Sequence, residues 1–69
     1  METKYIVTGM TCGHCVAHVT EEVQGVDGVT DVKVQLEGGE MIVTSDEQLP
    51  LETIAQAVSE AGDYTVALA

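Results

Sequence analysis

The chain contains no phenylalanine, no tryptophan and no arginine, and its 69 residues include only one proline, two tyrosines and two lysines. Without large aromatics the interior has to be filled by Val, Ile, Leu, Met and Ala. Two cations stand against 12 Asp and Glu, a net charge of −10. Such a chain repels phosphate backbones instead of releasing counterions from them, which makes nucleic acid and anionic membrane surfaces poor partners. No apolar run approaches the roughly 20 residues that span a bilayer. The stretch from Met1 to Met10 lacks the basic flank and apolar core of a secretory signal. The expectation is a cytoplasmic protein without membrane insertion.

What remains is 45% hydrophobic, too apolar for a disordered acidic tail. The length suits a single domain over residues 1–69 that buries about 60% of its unfolded surface, and excludes a large enzyme with a deep cleft. Val16, Val19, Val23 and Val26 recur at helical spacing, as do Leu51, Ile54, Val58 and Ala61. Gly25 and Gly28 end the first segment, Pro50 opens the second and Gly62 closes it. Period-two alternation marks four strands, through Tyr5 and Val7, through Val32, Val34 and Leu36, through Met41 and Val43, and through Val66 and Leu68. Gly38 and Gly39 suit a tight hairpin turn between the second and third. The order strand, helix, strand, strand, helix, strand predicts an α+β, ferredoxin-like βαββαβ sandwich, with two helices packed on one face of a four-stranded antiparallel sheet.

The two cysteines, Cys12 and Cys15, fall where the first strand gives way to the first helix, in Gly9-Met10-Thr11-Cys12-Gly13-His14-Cys15. The unpaired N–H groups of a helix start favour thiolate over thiol. Two thiolates with Gly13 between them can converge on one soft cation. A structural Zn²⁺ site wants four ligands, and the chain offers neither a second cysteine pair nor a carboxylate beside Cys12. Low-coordinate sulfur ligation suits Cu(I), and Ag(I) or Hg²⁺ fit the same argument. Met10 reads as a plug beneath the loop, His14 as a solvent-facing residue and His18 as surface. The same Cys-x-x-Cys spacing also serves thiol–disulfide oxidoreductases, but the single proline reads better as a helix starter than as the cis-proline such a fold uses.

The run from Gly9 to Cys15 resembles the GMTCxxC signature of heavy-metal-associated domains, most closely the small bacterial copper chaperones. The resemblance continues through Val26-Asp27-Gly28-Val29 and through Ile54, Ala57, Val58, Ala61, Gly62 and Tyr64. It departs from the family pattern by placing Asp63 between Gly62 and Tyr64, and it has no Lys in the loop beside Tyr64. The resemblance implies Cu(I) bound by Cys12 and Cys15 and handed by ligand exchange to the metal-binding domain of a copper-transporting P-type ATPase or to a copper-responsive repressor. It implies a binding protein and not an enzyme, monomeric without metal and able to form a metal-bridged dimer. A domain excised from a P-type ATPase or a mercuric reductase would share these motifs. Tyr64 is expected to close the core beside the last strand and to present its hydroxyl or ring edge to the metal loop.

Overall fold

The computed structural model describes residues 1–69. The chain runs β1 (Glu2–Thr8), α1 (Gly13–Gln24), β2 (Val29–Val34), a 3₁₀ turn (Glu37–Gly39), β3 (Glu40–Ser45), α2 (Leu51–Ala61) and β4 (Thr65–Leu68). The strands form one antiparallel sheet in the order β2-β3-β1-β4. Two helices cover one face of the sheet, as the alternation and the helical spacing predict.

That covered face follows from which side chains share it. Tyr5 and Val7 of β1, Val32 of β2, and Met41 and Val43 of β3 are buried against Val19 and Val23 of α1 and Ile54, Ala57 and Val58 of α2. Burying a side chain such as Ile54 or Val23, each with no exposed surface, contributes about 1.5–3 kcal/mol. Such burial compensates for the weak helix propensity of the valines in α1. An irregular register between Val29 and Asp31, where β2 passes β3, adds Thr30 as an extra residue, so Val29 as well as Val32 packs toward the core.

Three details differ from the sequence expectation. Leu36 lies beyond β2 and is 44% exposed, and Leu68, at the end of the edge strand β4, is 53% exposed. In both cases the alternation continues past the point where a helix covers the sheet. The β2–β3 connection is not a two-residue turn. The Gln35 N–H donates to the Glu40 carbonyl at 2.8 Å, closing a loop over Leu36–Gly39. Gly39 is required there for two reasons: its φ is +69°, and a Cβ would collide with the carbonyl of Val7 on the neighbouring strand. Leu51, assigned to the apolar stripe of α2, sits in its first turn and is 38% exposed.

Candidate metal centre

The loop that joins β1 to α1 and the first turn of that helix carry the two thiols to one end of the sandwich. Met10 packs against the core from below, the role its position predicts, while Thr11 and Cys12 are exposed. Cys12 occupies the N-cap of α1 in an extended conformation, φ −158° and ψ 175°. Its carbonyl accepts the first helical hydrogen bonds, from the N–H of Cys15 at 3.1 Å and of Val16 at 3.3 Å. An N-cap is usually Ser, Thr, Asp or Asn, whose side-chain oxygen satisfies a free N–H. Here the Cys12 side chain makes no capping hydrogen bond, so its sulfur is left to other partners.

One helical turn later Cys15, half-buried, brings its Sγ to 3.8 Å from the Sγ of Cys12. The Thr11 hydroxyl reaches the same Cys15 sulfur at 3.8 Å. Both cysteines are free thiols. The Cys15 thiol is pulled down from its ordinary 9.0 to about 6, first by the backbone amide of Thr11, then by the hydroxyls of Tyr64 and Thr11, with the Cys12 amide adding to the effect. The thiolate is therefore the main form of Cys15 at neutral pH. Reciprocally, Tyr64 is pushed above its ordinary value, chiefly because its hydroxyl is hydrogen-bonded to Cys15, with desolvation and the nearby negative charges adding to it.

Tyr64 reaches this position through the residue that departs from the family pattern. Asp63 forms the middle of a tight turn in which the Tyr64 N–H donates to the Gly62 carbonyl at 2.9 Å. The chain folds back so that the ring lies over Gly62, where a Cβ would stand 2.8 Å from the ring, and beside Gly9, where a Cβ would stand 3.2 Å from it. The two glycines make a slot that no larger residue leaves open. Tyr64 thus both packs against the core and borders the cysteine loop, as expected.

His14 lies between the thiols in sequence but is exposed, and His18 is exposed one turn further along α1. No three His, Cys, Asp or Glu side chains converge anywhere in the structure. The acidic side chains Glu21, Glu22 and Glu60 border an open hollow between the C-terminal half of α1 and α2, away from the thiols at the N-terminal end of α1. Sequence reasoning missed Thr11, whose neutral side chain gave no sign that its hydroxyl meets a sulfur.

A small α/β sandwich with a thiol pair at the start of its first helix defines a class of metal-binding domain, and the comparisons agree. The profile of the heavy-metal-associated domain matches residues 4–63, and the chain belongs to that family. It is 42% identical over 69 residues to the copper chaperone CopZ of Bacillus subtilis, covering 97% of this chain and 99% of that one. It is 41% identical over 63 residues to CopZ of Enterococcus hirae, covering 90% and 91%. Among solved structures, a CopZ metallochaperone superposes with a TM-score of 0.87 at 31% identity, over 97% of this chain and all of the other. A copper-binding domain from the P-type ATPase HMA7 superposes equally well, at 26% identity over 99% and 92%. No helix of the structure is long and apolar enough to cross a membrane.

Proposed function

We propose that the protein is a cytoplasmic copper chaperone that holds Cu(I) between Cys12 and Cys15 and passes it to an acceptor domain by thiolate exchange. The observation that carries this reading is the convergence of two free sulfurs, 3.8 Å apart, at the start of α1, with no third Cys, His or carboxylate converging on them. Relatives that match nearly the whole chain are copper chaperones. Two soft anionic ligands with the remaining coordination left open suit a monovalent soft ion that has to leave again.

The spacing bears on how it leaves. With a metal–sulfur bond of about 2.3 Å, an ion held linearly needs its sulfurs about 4.6 Å apart, and one shared among three sulfurs in a plane needs about 4.0 Å. The observed 3.8 Å is nearer the three-sulfur arrangement. Two sulfur ligands leave coordination positions open, so an incoming acceptor thiolate can form its bond to Cu(I) while both donor sulfurs are still in place. One donor sulfur then leaves as thiolate, and the other follows when a second acceptor sulfur arrives. The copper stays Cu(I) throughout, and no free ion is released. Direction depends on relative affinity and concentration.

The acceptor that fits is a domain of the same kind, since the copper-binding domain of a P-type ATPase shares this fold. A copper-responsive repressor with an open thiol pair is the alternative acceptor. The same likeness supports one second reading, that the chain acts as the metal-binding domain of a larger transporter and receives copper instead of donating it. Mixing Cu(I)-loaded protein with an apo ATPase domain, under anaerobic conditions, and following copper by size-resolved elution tests the transfer. Copper should appear on the acceptor without passing through a pool that a weak chelator can capture. Copper that moves only through the chelator would overturn the exchange mechanism.

A further inference from the structure

Thr11 sits in the exposed loop, yet its hydroxyl has only one hydrogen-bonding partner in the protein, the Cys15 sulfur at 3.8 Å. Other threonine hydroxyls do something different: Thr20 donates to the Val16 carbonyl at 2.7 Å and Thr30 to the Thr44 carbonyl at 3.1 Å. Cys15 is half-buried as a residue, while its sulfur meets Thr11 at the exposed surface of the loop. No cation is placed beside that sulfur. The two lysines are on the sheet strands, Lys4 on β1, ion-paired with Glu40 at 3.4 Å, and Lys33 on β2. In a chain of net charge −10, the nearest side-chain group outside the cysteine pair to meet that sulfur is thus a neutral hydroxyl.

We propose that the Thr11 hydroxyl is a positioning group for Cys15, donating to its sulfur and holding it against Cys12 so that the two ligands are convergent before the ion arrives. The inference rests on the copper-binding reading above for its consequence, but the contact itself concerns the apo protein. Threonine suits the task because its branched Cβ restricts χ1, so the hydroxyl is aimed at the sulfur with little rotamer freedom to lose.

The test compares Thr11→Val, which keeps the shape and removes the hydroxyl, with Thr11→Ser, which keeps the hydroxyl. Anaerobic competition titration should show Cu(I) affinity lowered about five- to tenfold in Thr11→Val, the effect of losing one hydrogen bond of ordinary strength, and largely restored in Thr11→Ser. Because the lost partner is a dipole and not a charge, the ratio between variant and wild type should not change with salt. In the Cys12→Ser background, where one thiol remains, iodoacetamide should modify Cys15 at a different rate in Thr11→Val than in Thr11→Ser. Equal affinity in Thr11→Val and wild type, or an equal loss in both Thr11 variants, would overturn the proposal. If wild type itself fails to bind Cu(I), the reading of the previous subsection falls, and the alkylation rates alone decide on Thr11.

Discussion

The two ends of α1 are built on opposite rules. Val19 and Val23, in its second half, have no exposed surface and belong to the apolar core. Cys12, exposed, and Cys15, half-buried, stand at its start, where amides and hydroxyls converge on the Cys15 sulfur. One end supplies the energy that holds the sandwich together. The other leaves its cap without the capping oxygen most helices use, and the amides and hydroxyls around it favour the Cys15 thiolate. Substitutions in one region should therefore leave the property of the other region almost unchanged.

The largest expected effect comes from the thiols. Cys12→Ser or Cys15→Ser should lower Cu(I) affinity by several orders of magnitude, because a hard hydroxyl replaces a soft thiolate. Thermal melting of the apo protein should shift only slightly, since neither sulfur is in the core. At the other end of the comparison, Ile54→Ala should cost about 2–5 kcal/mol of stability, read by urea denaturation. The fraction that stays folded should bind Cu(I) as tightly as wild type. Loss of affinity in folded Ile54→Ala would show that loop and core are coupled.

Smaller effects sharpen the boundary between the two regions. Gly62→Ala pushes a Cβ against the Tyr64 ring, and it should cost about 1–3 kcal/mol while also moving the hydroxyl away from Cys15. It is the one substitution expected to register on both sides. The pH dependence of Cys15 tests the donors directly. Its folded value, about 6, lies below the ordinary 9.0, so the small, solvent-screened stability it adds to the apo protein is fully present above pH 9 and is lost as pH falls through 6. Alkylation of Cys15 should accordingly rise with a midpoint near pH 6, and Cu(I) binding should release one more proton below that midpoint than above it. Tyr64→Phe should move the midpoint upward, because the hydroxyl that favours the thiolate is gone. A midpoint unchanged in Tyr64→Phe would remove Tyr64 from the site.

Much of this was legible in the sequence because apolar spacing reports which face is covered. The positions Val19, Val23, Ile54 and Val58, with Tyr5, Val7, Val32, Met41 and Val43, are all core residues as the spacing implied. Spacing does not report where a covering element stops, and for that reason Leu36, Leu51 and Leu68 are more exposed than the pattern suggested. Nor does it set the turn between β2 and β3, which depends on the close approach of Gly39 to Val7. At the site, the nearness of the two sulfurs follows from a spacing of three at a helix start. The place of Tyr64 was expected only through family resemblance, since it depends on a turn nearly fifty residues further along the chain. The contact of Thr11 with Cys15 requires knowing how the loop curls, information that side-chain type does not carry.

Copper K-edge absorption spectroscopy on the anaerobically loaded protein tests the central claim most directly. The account predicts Cu(I) with two sulfur neighbours at low loading in wild type, and one sulfur or no bound copper in either serine variant. Copper coordinated by nitrogen or oxygen in place of either cysteine sulfur would contradict it.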